Sequence, residues 1–452
     1  MRESTLERLW TEAGRNLRLA WPIIGAQLLF MSMGTVDTIF AGQLSGQALA
    51  AVAVGSNVFF LGFVTLMGLF MALAALLAQQ RGAGRGPRAL GQQICGAVGL
   101  AAGCGVLWGA ATWLTIDPLL AMLQLSSVVS AGAAEYLRVV ALATVPLCLC
   151  FALRNGAEGL GHTRVALLAG VVGLAINAGG DYLLMYGRWG LPQLGAVGAA
   201  WASVLASIGM LLCYIAAYRW HPALRLLAVG AQLPVYWRRG IQPLLKLGLP
   251  VAAILTAEAW LFQVGALMMA RFGDVAVAAH QIAINFAAMS FMVPLSIGMA
   301  TTVRVGNAAG RGDPRGAALA GRVGIALGVS WALMAATLMA LAPTVIVSAY
   351  TRDLAVTPLA VGLLTYAALF QLFDCIQATS NGALRGLHDT RGPMVITVLA
   401  YWAIGMPVAV GLAFYADVGP VGIWWGFIVG LAVAAAGLSI RFVRRTGDFR
   451  AA

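Results

Sequence analysis

Charged residues are scarce in this sequence. Only 10% of its 452 residues are Asp, Glu, Lys or Arg, whereas 61% are hydrophobic. A soluble domain carries about 25% charged residues, and a water-soluble chain this apolar would lack the polar groups that cover a surface. The scarcity excludes an ordinary soluble protein and indicates that lipid is the solvent for most of the chain.

Motifs that carry enzyme chemistry are missing as well. The sequence has no Gly-x-x-x-x-Gly-Lys-Ser/Thr phosphate loop and no His-Glu-x-x-His zinc motif. The glycine-rich segment 82–86 contains arginine and no strand is predicted before it, so it does not fit a nucleotide fingerprint. We therefore expect neither an enzyme nor a bound cofactor, and ATP-driven pumping would require a partner chain. The four histidines are scattered, at His162, His221, His280 and His388.

Cysteine is rare too: there are six, all inside apolar runs, and no Cys-x-x-Cys pair occurs. This pattern is typical of small packing residues and not of disulfides or metal ligands. The net charge of +12 is distributed over particular loops and forms no single patch, so no nucleic-acid partner is expected. The first sixteen residues are largely polar, and no signal peptide is predicted.

Long apolar runs dominate the sequence instead. A helix of about 20 residues crosses the hydrocarbon core, since each residue adds about 1.5 Å. Twelve runs of suitable length occur, and the sequence therefore predicts an all-α integral membrane protein with twelve transmembrane helices in a lipid bilayer. We place them near 17–41, 48–79, 92–114, 131–153, 165–187, 194–218, 244–271, 277–303, 318–341, 358–380, 393–415 and 419–441.

Basic residues are concentrated in alternate loops. The intervening loops contain only Arg188, Arg271 and Arg352. By the positive-inside rule, the basic loops and both termini are cytoplasmic, which requires an even number of spans. We expect a multi-pass protein of the cell inner (plasma) membrane. The residues of the basic segments are Arg2, Arg8, Arg15, Arg18, Arg81, Arg85, Arg88, Arg219, Arg225, Arg238, Arg239, Lys246, Arg304, Arg311, Arg315, Arg322, Arg441, Arg444, Arg445 and Arg450.

The two halves of the sequence repeat each other. Leu17–Pro22 (LRLAWP) matches Leu245–Pro250 (LKLGLP), and Gly195–Gly198 (GAVG) matches Gly419–Gly422 (GPVG). The offset stays between 224 and 228 residues, a register that chance matches would not hold. Six spans per half give both halves the same orientation, and such parallel repeats usually enclose a cavity. We predict two pseudo-symmetric six-helix bundles, 1–218 and 244–452, joined by a cytoplasmic linker at 219–243.

Four polar residues of the first half are predicted to meet within the membrane. An ionisable side chain there costs roughly 3 kcal/mol or more and is a functional candidate by default. Asp37 lies near the outer end of the first span, and Asp181 lies near the outer end of the fifth, one turn after Asn177. Ser203 on the sixth span reaches the same depth. We expect a proton-binding site; the alternative is that Asp181 only caps a helix near the interface.

The second half carries a different acidic pair. Glu258 lies near the middle of the seventh span, and Asp374 lies at comparable depth on the tenth. Phe262 follows Glu258 by one turn, and a carboxylate beside an aromatic ring can hold a cation. The equivalent positions of the first half are near Phe30 and Cys148, which are apolar. The alternative is a buried acid that is hydrogen-bonded only to its helix neighbours.

Other polar and aromatic residues have simpler predicted roles. Glu135 and Arg138 are spaced to pair on one helical turn, and Glu158 and Asp389 are expected to be solvated loop groups. The residues predicted to line the substrate cavity are Asn57, Phe262, Gln281, Asn285 and Phe291.

Specific motifs of the chain resemble a known family. Asp37 lies in Thr-Val-Asp-Thr, and Pro294–Gly298 (PLSIG) is followed by Val303–Gly306 (VRVG). With twelve spans in two repeats, these motifs resemble the multidrug and toxic compound extrusion (MATE) family, and its NorM branch above all. The similarity covers essentially the whole chain.

The resemblance implies two sets of site residues. Glu258 with Phe262, and Asp374, match the positions that bind the coupling cation in NorM-like members. The polar cluster that other branches use for protons is matched by Asp37, Asn177 and Asp181, and more loosely by Ser203, where the family often has threonine.

The resemblance also implies a function: export of bulky organic cations, such as dyes and fluoroquinolone-like drugs, in exchange for inward H⁺ or Na⁺, by alternating access. Such export would confer antibiotic resistance, and we expect a monomer. Phe291 stands where some NorM members have a cation-ligating tyrosine. We therefore favour protons, with Na⁺ at Glu258 and Asp374 as the alternative; no other metal is expected.

Two other functions are compatible with a polytopic membrane protein. A lipid-linked sugar flippase of the same superfamily would have extra spans and a basic cavity for phosphate, whereas this sequence has twelve spans and intramembrane acids. A membrane enzyme would need a catalytic cluster at one interface, such as paired histidines, and the histidines here are scattered.

Overall fold

The computed structural model describes residues 5–123 and 125–451, with side chains placed for 6–123 and 125–447. Arg2 and the Arg450 side chain, which contribute to the predicted charge pattern, lie outside the described residues. Helices account for nearly all described residues, and no strand occurs among them. The predicted all-α fold class is confirmed.

In the part of the chain that the structure describes, twelve helices are long and apolar enough to cross a membrane, the number that the sequence predicts. Most are longer than the predicted spans, so their ends extend past the apolar runs. The predicted linker also contains two short helices, Pro222–Arg225 and Val229–Tyr236. The twelve are α1 (Leu6–Leu44), α2 (Gly46–Gly82), α3 (Pro87–Met122), α4 (Ser127–Gly159), α5 (Arg164–Met185), α6 (Ala196–Trp220), α7 (Ile241–Phe272), α8 (Asp274–Gly310), α9 (Pro314–Leu341), α10 (Thr357–Gly386), α11 (Arg391–Tyr415) and α12 (Pro420–Gly447).

Contacts divide the chain into two compact units. Unit 1 comprises Met1–Trp21, Ala78–Gly84 and Leu249–Ala452, and unit 2 comprises Pro22–Leu77 and Arg85–Gly248. The grouping follows contacts and not sequence similarity. The predicted borders of the two repeats, at 1–218, 219–243 and 244–452, therefore stay a prediction.

Unit 2 is packed through close helix crossings at small residues. A Cβ atom on Gly180 of α5 would lie 2.8 Å from the Cβ of Ala202 on α6. A Cβ on Gly198 would lie 2.7 Å from the backbone of Leu184 and Met185. Small residues let helix backbones approach closely in lipid, where packing replaces the hydrophobic effect as the main attraction. These crossings hold the beginning of α6 against the end of α5.

Unit 1 contains two close helix crossings of the same kind. On α8 and α10, a Cβ on Gly298 would lie 2.8 Å from the carbonyl oxygen of Ala378. The Thr302 hydroxyl donates to the carbonyl of Gly382 at 2.8 Å and ties the same crossing together. On α11 and α12, Gly405 and Gly430 leave no room for a side chain between the two backbones. These contacts hold α8 against α10 and α11 against α12.

Three segments of the membrane helices are wound as π-helix: Asp181–Met185 in α5, and Leu399–Gly405 and Gly411–Tyr415 in α11. A π-turn inserts an extra residue and rotates the side chains that follow it. Such segments are rare and are frequently found at functional sites. Here one begins at Asp181 and another contains Tyr401, and both residues belong to the polar clusters described next.

Candidate functional site

The four polar residues predicted in the first half meet in unit 2. The Asn177 amide donates to Asp37 Oδ1 at 2.9 Å, and the Ser203 hydroxyl lies 3.4 Å from Asp37 Oδ2. The Asp181 carboxyl lies within hydrogen-bonding reach of the Asp37 carboxyl. Asn177 and the two aspartates are buried, and Asp181 is 0% exposed. Helices α1, α5 and α6 thus bring four polar side chains together in an apolar bundle.

Local structure explains why these groups converge. Asn177 and Asp181 are one turn apart on α5 and face the same side of the helix. The tight crossing of Gly180 with Ala202 brings the next residue of α6, Ser203, to the level of Asp181. Asp181 does not cap a helix end, since the chain continues into π-helix and Asp181 makes no side-chain cap bond.

The hydrogen bonding of the two carboxyl groups is incomplete at Asp181. In the described part of the chain, no N–H or O–H donor bonds either Asp181 oxygen. Two carboxyl groups can hydrogen-bond each other only when one carries a proton, because an ionised carboxylate is an acceptor alone. A buried acceptor without a donor costs about 1–3 kcal/mol or more. A proton bound between Asp37 and Asp181 would supply the missing donor.

Sequence reasoning missed one neighbour of this cluster. Tyr136 of α4 is fully buried close to both carboxyl groups, and its ring lies against Gly55 of α2. No spacing rule relates a residue of α4 to acids on α1 and α5. A tyrosine in a long apolar run was the only available signal.

In unit 1, Glu258 and Asp374 also lie in one polar cluster. The Gln377 amide donates to Glu258 Oε2 at 3.2 Å. The Tyr401 hydroxyl approaches the same carboxyl, although it misses the geometry of a full hydrogen bond. Asp374 is 2% exposed and close enough to Glu258 for the two charges to interact. The hydrogen bond that Glu258 accepts comes from α10, so it is not bonded only within its own helix.

Gln377 and Tyr401 were not among the predicted site residues. Gln377 follows Asp374 by three residues, so the helical spacing itself carried a signal. No sequence signal pointed to Tyr401, because it reaches Glu258 from a π-helical segment that no sequence rule predicts.

The residues predicted to line a substrate cavity have separate surroundings. Phe262 packs in the hydrophobic core, with its ring 5.7 Å from that of Phe370 and 5.5 Å from that of Phe427. Phe291 borders a cleft that also contains Glu258. The Tyr350 hydroxyl donates to Asn285 Oδ1 at 3.1 Å.

Two more predicted cavity residues are exposed. Gln281 is an exposed residue of unit 1, and Asn57 is an exposed residue of unit 2. Only Phe291 of the five therefore borders the cleft beside Glu258, and whether these residues contact substrate stays a prediction.

Three simpler expectations are wrong. Arg138 pairs with Asp117 at 3.2 Å and not with Glu135, because α3 brings Asp117 within its reach. Glu158 is buried and bonded to Arg154 at 2.8 Å. Its predicted solvation fails because α4 continues as helix through Gly159.

Asp389 is likewise not a solvated loop group. Arg441 of α12 donates to both of its oxygens, at 2.7 and 3.0 Å, and Arg445 adds a third bond at 3.2 Å. Gly392 permits this arrangement, because any side chain there would collide with the Arg441 guanidinium. Asp389 therefore anchors the loop after α10 to α12.

The donors present in the described residues do not form a metal centre of the transition-metal kind. No group of three or more His, Cys, Asp or Glu side chains converges among them. The carboxyl and amide oxygens around Glu258 are hard ligands, which suit a proton or an alkali cation better than a soft metal.

Proteins of known name resemble this chain over its full length. The MatE family model matches it twice, over residues 22–183 and 250–410, once in each half. The multidrug resistance protein PmpM of Pseudomonas aeruginosa is 38% identical over 98% of this chain and 93% of its own length. The multidrug resistance protein NorM of Vibrio vulnificus is 36% identical over 96% of each chain. The crystal structure of the eukaryotic MATE transporter AtDTX14 shares the fold, with a TM-score of 0.89 over 98% of this chain and 99% of its own at 18% identity.

Proposed function

This chain belongs to the MatE family of multidrug efflux transporters, and from that premise we propose that it is an antiporter that exports organic cations in exchange for an inward flow of H⁺. The observation that carries the choice of H⁺ is the buried Asp37–Asp181 pair, which lacks a donor that a shared proton would supply. Na⁺ is the second candidate, at Glu258 and Asp374.

Competition for one set of carboxyl groups gives a physical basis for exchange. A carboxylate inside an apolar bundle attracts any cation, and it is neutralised by either a drug or a coupling ion. If occupancy by one excludes the other, entry of the ion expels the drug. Each charge that crosses the full membrane potential contributes about 2.3 kcal/mol per 100 mV. Alternating access would then make each exchange vectorial.

The same proposal places the protein in the cell inner membrane with both termini in the cytoplasm. Its support is the concentration of arginine in alternate loops, which the positive-inside rule assigns to the cytoplasm. The curated relatives from bacteria carry names of multidrug resistance proteins. Export of toxic cations across the inner membrane would give resistance of that kind, and a single chain is expected to suffice.

Reconstitution tests the function directly. Purified protein in liposomes is supplied with a fluorescent organic cation such as ethidium, and transport is followed under a pH gradient alone, then under a Na⁺ gradient alone. We expect the pH gradient to drive dye movement against its concentration. Transport under the Na⁺ gradient alone would replace H⁺ by Na⁺ as the coupling ion. Failure of both gradients for a panel of organic cations would overturn the proposed antiport.

A further inference from the structure

A line of polar side chains runs along α10 from the acidic pair to the loop that follows the helix. The line consists of Asp374, Gln377, Asn381, Arg385 and Asp389, at spacings of three, four, four and four residues. The first four lie on one face of α10, and Asp389 lies in the loop that follows the helix after Gly386. In a membrane helix, a polar face of this length needs polar or aqueous surroundings.

Four members of this line border a single cleft in unit 1. The cleft contains Glu258 at one end and Asp389 at the other, with Gln377, Asn381 and Arg385 between them. Its cavity volume is about 30 Å³. A polar cavity needs about 10–15 Å³ to hold one water molecule, so the cleft has room for water. Its opposite wall is apolar and is formed by Val251, Ile254, Leu255, Phe291 and Leu295.

Buried oxygens beside the cleft lack donors. Among the described residues, none donates a hydrogen bond to Asp374 Oδ1, Gln377 Oε1 or Asn381 Oδ1. Buried polar atoms are nearly always paired with protein or with ordered water, and an unpaired one calls for an explanation. Three such acceptors in sequence along one face of α10 are suited to water, a hydrated proton or an alkali cation.

The first half of the chain has no such line. The positions equivalent to Asp374, Gln377 and Asn381 are Cys148, Phe151 and Asn155, of which only the last is polar. The Asn155 amide nitrogen donates to the carbonyl of Phe151 within its own helix at 2.9 Å. Its Oδ1 also lacks a donor among the described residues, so the two helices differ in the line of polar groups and not in one unpaired oxygen. The polar face is therefore particular to α10 and is not a consequence of the repeated fold.

The charge at the end of the line is also particular to this half. In α4, the buried Arg154 is neutralised by Glu158 one turn later. Arg385 is 7% exposed, yet it forms no ion pair with any described residue. The nearest acid of the line, Asp389, is already bonded to Arg441 and Arg445. The Arg385 guanidinium therefore adds an uncompensated positive charge to the wall of the cleft.

We propose that this cleft is a hydrated path through which the coupling cation passes between the Glu258–Asp374 site and the cytoplasmic end of α10, with Arg385 as its electrostatic barrier. The acceptor oxygens of Gln377 and Asn381 replace part of the hydration shell of the cation. A fixed positive charge beside a narrow passage raises the free-energy barrier for every cation that passes it, the coupling cation included. The barrier limits cation leak when no drug is being exchanged. The direction of flow rests on the proposed antiport, whereas the existence of the path does not.

Cysteine accessibility tests the path without reference to transport. In full-length protein whose native cysteines are replaced, Asn381→Cys and the matched control Asn155→Cys are treated with the membrane-impermeant cation MTSET. We expect labelling of Asn381→Cys from the cytoplasmic side at least ten times faster than labelling of Asn155→Cys from that side. Equal rates, or faster labelling of Asn381→Cys from the opposite side, would overturn the path.

Cation flux tests the role of Asn381. In proteoliposomes loaded with ethidium, H⁺ entry during exchange is followed with an internal pH dye and Na⁺ entry with ²²Na⁺. Asn381→Leu should slow passage of the coupling cation at least tenfold because it dries the path, while Asn381→Ser should stay within threefold of wild type. Dye binding should stay within twofold in both. Unchanged flux in the leucine variant, or equal loss in both variants, contradicts the proposal.

The barrier has its own matched pair of variants. Arg385→Gln keeps length and polarity but removes the charge, and we expect a several-fold increase of cation leak in the absence of drug. Arg391→Gln removes an exposed positive charge at the beginning of α11 and should leave the leak unchanged. An unchanged leak in Arg385→Gln, or an equal increase in both variants, would show that Arg385 is not the barrier. If wild type moves no organic cation under any gradient, the proposed antiport fails, while cysteine labelling still decides the path.

Discussion

At the scale of single residues, the two acidic clusters differ in how their carboxyl groups are satisfied. Asp37 receives hydrogen bonds from Asn177 and Ser203, whereas Asp181 depends on Asp37 itself. Glu258 receives one from Gln377, and Asp374 keeps an oxygen without a donor. Each cluster thus leaves one carboxyl incomplete, and a bound proton or cation would complete it.

Substitution of Asp37 tests the first cluster. Asp37→Asn keeps the shape but removes the shared proton, and we expect dye efflux to fall at least tenfold with the fold retained. Efflux from cells that express the variant is the measurement, with membrane abundance and thermal unfolding as checks on folding. The matched control is Asp117→Asn, which changes an exposed aspartate and should transport like wild type. If the Asp37→Asn variant exported dye at the wild-type rate, the assignment of Asp37 to the coupling site would be wrong.

Substitution of Glu258 or Asp374 tests the second cluster. Glu258→Gln and Asp374→Asn each remove one carboxyl group from the pair, and we expect each to reduce efflux at least tenfold. The readout is ethidium efflux in proteoliposomes under the same gradient as wild type. Asp274→Asn, at an exposed position of the first turn of α8, serves as the control. If both variants exported dye at the wild-type rate, the second half would have no role in coupling.

At the scale of helices, close backbone contacts determine where the polar groups lie. A Cβ atom added to Gly405 of α11 would lie 2.9 Å from the carbonyl oxygen of Gly426 on α12. This contact fixes the π-helical segment that carries Tyr401 toward Glu258. A helix held by backbone packing cannot shift to accept a larger side chain, because the opposing atoms are not flexible.

Gly426→Ala should therefore destabilise the protein. The added Cβ would collide with backbone atoms of Ala409 and Gly405, and overpacking of this kind costs about 1–3 kcal/mol. Thermal unfolding in detergent should show a lower midpoint than wild type. Gly411→Ala is the matched control, because nothing lies within 4 Å of its Cβ position. Equal midpoints for the two variants would contradict a packing role for Gly426.

An ion pair anchors the beginning of α1 to α8 within unit 1. Arg304 donates two hydrogen bonds to Glu12, at 2.7 and 2.6 Å, in the bidentate geometry that suits arginine and carboxylate. Both side chains are largely buried, so the loss of one leaves the other charge uncompensated.

We expect Arg304→Ala to lower the free energy of unfolding by about 3 kcal/mol, the lower end of the range for breaking a buried pair. Arg15 also approaches Glu12, but at 3.8 Å and with 60% of its side chain exposed. Arg15→Ala should therefore change stability by less than about 1 kcal/mol. Thermal or denaturant unfolding in detergent provides the comparison, and similar losses in the two variants would show that the bidentate pair is not an anchor.

At the scale of the whole molecule, membrane orientation follows from the distribution of arginine. A C-terminal fusion to green fluorescent protein should fluoresce in bacterial cells, because green fluorescent protein folds in the cytoplasm. A C-terminal fusion to alkaline phosphatase should be inactive, because the phosphatase becomes active only in the periplasm. The control is a phosphatase fusion after Arg352, in a loop predicted to be outside, which should be active. The reverse result would invert the proposed topology.

Twelve helices, their approximate positions and the division into halves were predictable from the sequence. Each span must satisfy its own backbone hydrogen bonds in lipid, so an apolar run of sufficient length forms a helix. The family model matches both halves separately, at 22–183 and 250–410, in agreement with the predicted repeat. Helix ends were less predictable, since α1 and α3 continue well past their apolar runs.

The candidate site was predictable in part. Asp37, Asn177, Asp181 and Ser203 could be grouped because they are polar residues at one depth of alternating spans. Tyr136 could not, because depth alone does not say which helices are neighbours.

The sequence by itself determined that the chain enters lipid, crosses it as twelve helices in two similar halves, and carries its few acids where lipid penalises them. The physical reason is local: burial cost and backbone satisfaction act on each segment alone. Only the tertiary structure decided that Asp389 bonds Arg441 and that Arg385 lines a cleft without an ion pair to any described residue. Those outcomes depend on which helix faces which, at crossings set by glycines and π-turns, and no property of a single helix contains them.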